Sequence, residues 1–134
     1  HANCELTDVD FINCSRSGLD TPFFDASENI FVARRCKFAN NSYGCLVRGK
    51  LTTGTFHNCS FHHNKKDGFC LTGPKGCTTH FHGEATAVHS NGRNGIKVDS
   101  GKVIIHLSSH HNTSYNNNVD RGTFSGGTIT NVVD

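Results

Sequence analysis

The stretch Cys36-Lys-Phe-Ala-Asn-Asn-Ser-Tyr-Gly-Cys45 decides the fold, because two apolar residues spaced by two are followed by Asn and then by Gly before another apolar residue. The same arrangement returns at residues 9–19, 59–69 and 86–96, and a degenerate copy runs from 107 to 116. Successive copies begin 27, 23, 27 and 21 residues apart. A repeat period in the twenties indicates supersecondary units that stack on one another.

Each copy contains short strands, because residues spaced by two point to the same face of a strand. Such pairs precede the Asn and follow the Gly, and a third apolar patch, such as residues 30–32 or 103–105, comes before each copy. About three short strands, separated by turns rich in Asn, Gly and Asp, make one coil. No segment has apolar residues at helical spacing over more than a turn, which excludes helical repeats. The sequence predicts an all-β solenoid of about five coils, with a β-sandwich as the structural alternative.

Stacked coils place equivalent residues above one another at about 4.8 Å per step. One interior ladder is expected to contain Phe11, Phe38, Phe61 and Val88. The Asn four residues before the Gly tolerates a left-handed conformation, and stacked Asn side chains can form a ladder. The glycine of each coil is expected to adopt a positive φ at the bend between two sheets. These glycines are Gly18, Gly44, Gly68 and Gly95.

Three segments carry a resemblance to a known family. Residues 40–47, 64–71 and 91–98 read Asn-Asn-Ser-Tyr-Gly-Cys-Leu-Val, Asn-Lys-Lys-Asp-Gly-Phe-Cys-Leu and Asn-Gly-Arg-Asn-Gly-Ile-Lys-Val. They resemble the short repeats of the pectin-lyase-like family, and the resemblance implies a right-handed parallel β-helix over residues 1–134 as one domain. It does not imply one activity, because this fold hosts lyases, hydrolases, epimerases, adhesins and phage or viral surface proteins.

The two ends of the chain and its charge lead to expectations about partners. The chain opens within a coil and closes within a strand, so we expect either a segment of a longer β-helix or copies that stack end to end. Light scattering on a concentrated sample tests the second expectation. The formal charge is +2, from 13 basic and 11 acidic residues without a basic stripe, so nucleic acid is not an expected partner. The longest apolar run, residues 103–105, is too short to span a membrane.

Seven cysteines and four N-glycosylation sequons favour an extracellular or surface location. Cys36 and Cys59 fall on equivalent inward positions of adjacent coils, where they form either a buried thiol ladder or a disulfide between coils. The candidate glycosylation sites are Asn13, Asn40, Asn58 and Asn112.

The sequence has ten histidines, and eight of them fall into two expected groups. Equivalent positions predict short imidazole ladders, which are either ordinary turn residues or a face that acid loosens, since stacked imidazoles repel when protonated. The ladders are His62 with His89 and His110, and His63 with His111.

A second histidine group is a candidate site for a divalent metal. In His80-Phe-His82-Gly-Glu84 the outward side chains share one strand face if Phe81 points inward, and His57 would lie beside His82 on the neighbouring coil. Two His and a carboxylate can bind a divalent metal.

Catalytic motifs of the resembled family are absent from the sequence. It has no clustered Asp pair with a Gly-His-Gly loop, no Arg and Lys beside a calcium-binding Asp group, and no Asp-Pro-His-Asp element. Asp8 and Asp10 are a paired-carboxylate candidate, but they are expected to form a solvated strand face. We therefore expect no catalytic residue and no cofactor apart from a divalent metal.

The predicted function is that of an extracellular or cell- or virion-surface β-helix: a fibre, an adhesin or a spike that contacts polysaccharide, with copies assembling end to end or laterally. The alternative is a polysaccharide lyase or glycoside hydrolase of the same fold, or a fragment of one.

Overall fold

A computed structural model describes residues 2–21, 29–48, 52–72 and 77–133. These residues form sixteen β-strands and no helix. In order along the sequence the strands are β1 (Ala2–Thr7), β2 (Asp10–Ile12), β3 (Ser17–Asp20), β4 (Asn29–Arg34), β5 (Lys37–Ala39), β6 (Tyr43–Arg48), β7 (Thr52–His57), β8 (Ser60–His62), β9 (Phe69–Thr72), β10 (Thr78–His82), β11 (Ala87–His89), β12 (Asn94–Asp99), β13 (Lys102–Ile105), β14 (Ser114–Tyr115), β15 (Val119–Phe124) and β16 (Thr128–Asn131).

Every third strand joins the same parallel sheet. Sheet 1 has the order β1-β4-β7-β10-β13-β16, sheet 2 the order β2-β5-β8-β11-β14, and sheet 3 the order β3-β6-β9-β12-β15. The polypeptide therefore passes through the three sheets once per coil, and five coils stack with their backbone hydrogen bonds along the solenoid axis. The expected all-β architecture of about five coils is confirmed. The described residues include no helix long and apolar enough to cross a bilayer.

The interior of the solenoid is a column of aromatic and aliphatic side chains. The register pairs Phe11 with Phe38, Phe38 with Phe61 and Phe61 with Val88. Phe38 and Phe61 stack at 4.8 Å and 5°, which is close to the strand spacing of about 4.8 Å. Rings from sheets 1 and 3 pack edge-on against this column. Phe38 and Phe61, at the centre of the column, are fully buried.

An asparagine ladder lines the bend between sheets 2 and 3. Asn41, Asn64 and Asn91 are buried, and Asn117 continues the column. The side-chain oxygen of one Asn accepts the backbone N–H of the equivalent residue in the preceding coil, as Asn64 N–H donates to Asn91 Oδ1 at 3.1 Å. Each Nδ2 donates to a backbone carbonyl of the preceding coil, as Asn91 does to Phe61. The ladder therefore satisfies backbone groups that a buried bend would otherwise leave without partners.

The structure corrects the expected position of the ladder in the second coil. Asn40, which is four residues before Gly44, is exposed and has φ of 58°, and it is Asn41 that enters the ladder. The left-handed residue precedes the ladder position in every coil, as Asn13, Asn40, His63, Ser90 and Asn116. The two roles expected of one Asn therefore belong to neighbouring residues.

The glycines of the repeat are needed for space and not for a positive φ. Gly18, Gly44, Gly68 and Gly95 are absent from the described residues with positive φ, so that expectation is wrong. A Cβ on Gly68 would lie 2.5 Å from Asn91 Nδ2 and 2.9 Å from the carbonyl oxygen of Gly95. The same conflict arises at Gly18, with Asn41 Nδ2 at 2.8 Å. A larger residue here would displace the asparagine ladder, since real Cβ atoms essentially never approach within 3.0 Å.

Cys36 and Cys59 are buried thiols, so the disulfide between coils is not formed. Cys59 Sγ lies 3.5 Å from the carbonyl oxygens of Ala33 and His57, and Cys36 Sγ lies 3.4 Å from that of Arg34. Aligned residues of neighbouring parallel strands are about 4.7–4.9 Å apart. A disulfide needs Cβ atoms about 3.5–4.5 Å apart, so aligned positions favour two thiols.

Candidate functional site

The outer face of sheet 1 carries columns of hydroxyl and imidazole side chains. On β7 and β10 the inward side chains, such as Phe56 and Phe81, alternate with outward Thr and His. The register aligns Thr53 with Thr78 and Thr55 with His80. The strand period of two therefore produces a flat polar face above an apolar interior.

Four histidines meet at one edge of this face and are named the histidine cluster: His57, His80, His82 and His106. His57 and His82 are in register, and their rings stack at 4.8 Å and 16°. His106 follows β13, and its backbone N–H donates to the backbone carbonyl of Phe81 at 2.8 Å. Its ring stacks on His82 at 4.0 Å and 7°, so three successive coils contribute a histidine to one column.

Within the cluster, His80, His82 and His106 bring nitrogen atoms together. His80 Nδ1 and His106 Nε2 form a hydrogen bond of 2.8 Å. One ring nitrogen from each of the three lies within 4.8 Å of the other two. All three residues are partly buried. This group has the composition of a three-histidine metal site.

Burial lowers the pKa of His57, His80 and His82. The pKa of His82 falls to about 4, first because burial penalises the imidazolium and then because His106, His57 and His80 repel its charge. Burial also lowers the pKa of His80, with repulsion from His106 as the smaller cause. The His57 pKa is lowered by burial and by the Arg34 cation on the adjacent strand. At pH 7 these three imidazoles are therefore neutral.

The structure changes the membership of the predicted metal group. It brings His80 and His82 together, but Glu84 is highly exposed and its carboxylate lies 3.6 Å from His111 Nε2. His106 takes the third place, which the sequence analysis missed. The signal was present, because His57, His82 and His106 each directly follow an inward apolar residue.

A separate stack of rings lies on the outer face of sheet 2. His62 stacks on His89 at 5.0 Å and 4°, and His89 stacks on Tyr115 at 4.9 Å and 6°. His89 pairs with Tyr115, so His110 is not part of the column. His110 is exposed near Ser108. The expected ladder therefore holds for His62 and His89 and is wrong for His110.

The second expected imidazole ladder is also wrong. His63 corresponds to Ser90 and Asn116, since these residues occupy the left-handed position after sheet 2. His111 instead contacts Glu84. The fifth copy lies later in the sequence than expected, because Ser114, and not an apolar residue, pairs with Val88.

The remaining predicted residues are dispersed over the surface. The four sequon asparagines Asn13, Asn40, Asn58 and Asn112 are exposed, and their glycosylation stays a prediction. Asp8 forms a bidentate pair with Arg35, at 2.8 and 3.0 Å, and the hydrogen bond from this guanidinium lowers the Asp8 pKa. Asp10 is exposed on β2.

Comparisons with protein families, with curated proteins and with solved structures find no match in any of the three. The three parallel sheets define this protein as a parallel β-solenoid.

We expect acid to destabilise the folded protein through the sheet 2 stack. Burial lowers the pKa of His62 and His89. His89, His63 and Lys37 also repel added charge on His62, and His63 repels added charge on His89. The unfolded imidazoles gain protons near pH 6.5, whereas the folded ones resist protonation. The unfolded state therefore binds more protons, and stability falls as the pH is lowered from about 6.5. Urea unfolding at pH 7.5, 6 and 5 with a chelator present measures this fall.

The double variant His62→Gln, His89→Gln is expected to lose less stability between pH 7.5 and 5 than the wild type. His110→Gln, a change at an exposed histidine, should leave the fall unchanged. An identical fall in the double variant and the wild type would show that the stack makes no contribution.

Proposed function

We propose that the protein is a structural and binding β-helix of the pectin-lyase-like type, located outside the cell or on a cell or virion surface. Its role is to contact an extended polysaccharide through the outer face of sheet 1. The observation that carries the proposal is the alignment of outward Thr and His side chains on β7 and β10. A repeating surface of this kind fits a polymer with repeating hydroxyl groups, because Thr hydroxyls both donate and accept hydrogen bonds.

The charge of this face favours a neutral glycan. The outward residues of β4, β7, β10 and β13 include two basic side chains, Arg34 and Lys102, and no acidic one. Arg34 lies 3.9 Å from Glu5. Ile30, Val32 and Ile104 add apolar surface, which suits the apolar faces of sugar rings. End-to-end association of copies stays a prediction beside this proposal.

A binding assay on a panel of soluble polysaccharides tests the proposal. Thr55→Arg places a long charged group in the centre of the face and is expected to weaken binding about 10-fold or more, or about 1.4 kcal/mol. Thr123→Arg is the matched control, because Thr123 is exposed on β15 of sheet 3. Equal binding by the two variants, or no binding by the wild type, would contradict the proposal.

The same incubations test the enzymatic alternative. Release of reducing ends or of unsaturated uronates, lost on mutation of one outward Asp or His, would identify a hydrolase or a lyase instead. We expect neither product.

A further inference from the structure

The histidine cluster has more nitrogen donors in one place than a hydrogen-bonded pair of rings explains. The bond between His80 and His106 uses one nitrogen of each ring. His82 adds a third ring, which stacks on His106 and not on a residue of the core. Two adjacent coils thus present three ring nitrogens within 4.8 Å of one another.

We propose that His80, His82 and His106 bind one divalent transition-metal ion, with Zn²⁺ as the reference ion, and leave a coordination position open to solvent. Imidazole nitrogen suits Zn²⁺, Cu²⁺ and Ni²⁺. Three protein ligands with a fourth, open position are typical of zinc sites that hold water or substrate. This inference does not depend on polysaccharide binding.

The distances require only small side-chain movements. A tetrahedral Zn²⁺ with Zn–N of about 2.1 Å places its ligand atoms about 3.4 Å apart. His80 Nδ1 and His106 Nε2 are 2.8 Å apart and all three ligand atoms lie within 4.8 Å of one another, so each separation has to change by no more than about 1.4 Å. The nearly parallel rings of His82 and His106 also have to tilt toward the ion. The backbone is fixed by the register of β10 with β13, which pairs Phe81 with Ile105.

The electrostatic surroundings do not oppose the ion. Neutral imidazoles are the form that binds metal, and burial lowers the pKa of His80 and His82. Arg34 is the cation that acts on this edge, and it does so at His57, which lies outside the three-nitrogen group. Glu84 is engaged with His111 and is not a ligand in this arrangement.

Calorimetric titration of the chelator-treated protein with ZnCl₂ tests the proposal. We expect one Zn²⁺ to bind per protein molecule. His80→Gln and His106→Gln should each weaken the affinity for Zn²⁺ by at least roughly 10–100-fold, which is the cost of changing a residue that only supports a metal ligand. His110→Gln is the control for the loss of one exposed imidazole. Thermal unfolding of each variant checks folding, and added Zn²⁺ should raise the Tm of the wild type but not of His106→Gln.

One further variant separates this site from the group predicted by the sequence. Glu84→Gln should bind Zn²⁺ as the wild type does, because Glu84 lies outside the three-nitrogen group. In NMR spectra of the histidine rings, signals of His80, His82 and His106 should shift at one equivalent, which also distinguishes this site from binding by the thiols. Absence of binding heat, unchanged affinity in His106→Gln, or shifts confined to other histidines would overturn the proposal.

Discussion

Asn91→Ala is expected to lower the free energy of unfolding by about 3–5 kcal/mol, because it leaves several buried polar groups without partners. Asn91 Oδ1 accepts two hydrogen bonds from Asn64, one from its backbone N–H at 3.1 Å and one from its side-chain Nδ2 at 2.9 Å. Asn91 Nδ2 donates to the backbone oxygen of Phe61 at 3.1 Å and to Asn117 Oδ1 at 2.8 Å. Each unsatisfied buried group costs about 1–3 kcal/mol.

Urea unfolding followed by circular dichroism measures this loss, and amide hydrogen exchange locates it. The Asn64 amide should exchange faster in the variant, since its acceptor is removed. Asn112→Ala changes an exposed asparagine and should stay within about 0.5 kcal/mol of the wild type. A cost below about 1 kcal/mol for Asn91→Ala would mean that water replaces the ladder without penalty.

Phe61→Ala is expected to cost about 3–5 kcal/mol, the range measured for Phe→Ala in protein cores. Phe61 is fully buried and stacks on Phe38 at 4.8 Å. Its ring also meets Phe56, Phe69 and Phe81 at centroid distances of 5.3, 5.9 and 5.7 Å. Alanine would leave a cavity bordered by residues of all three sheets, and parallel strands that are fixed by neighbouring coils cannot close it.

The matched control for this change is Phe124→Ala. Phe124 is 48% exposed on β15, where its ring contacts the Lys97 ammonium group. Its removal should cost less than about 1 kcal/mol. Equal midpoints of urea unfolding for the two variants would contradict the central position of Phe61 in the core.

The sequence predicts the fold well because the interior ladder repeats visibly. Each coil up to the fourth has one large apolar residue in a segment whose apolar residues are spaced by two. Parallel stacking then places these residues in register, as Phe11, Phe38, Phe61 and Val88. The prediction fails where this marker is lost. Ser114 occupies the position of Val88 in the fifth coil, so nothing apolar marks the strand.

The details of the bend are harder to predict, because one residue more or less changes the assignment. Gly44 follows Asn41 by three residues, whereas Gly68 follows Asn64 by four. A search at constant spacing therefore selects Asn40 and misses Asn41. The sequence also could not show why each repeat position needs glycine, because the reason is the short distance from this position to the Asn side chain of the next coil.

The histidine cluster could be predicted only in part from the sequence. The alternation around Phe81 places His80 and His82 on one face, and these two residues lie there. Glu84 does not join them because the turn after β10 begins at Gly83, with φ of 96°, and strand alternation ends there. His106 directly follows an inward apolar residue, as His57 and His82 do, and the register of β10 with β13 then brings its ring to those of His80 and His82.

The asparagine ladder also gives the solenoid an electrical polarity along its axis. The side-chain oxygen of each ladder Asn points toward the preceding coil. One Nδ2–H of Asn64 and one of Asn91 point toward the following coil. The aligned amide dipoles add, as peptide dipoles do in an α-helix, and hydrogen-bonded amides polarise one another. The electropositive end is at Asn117, whose N–H and Nδ2 both donate to the carboxylate of Asp120 at 3.0 Å. Asp120 thus neutralises the end of the ladder, as an acidic residue does at the start of a helix.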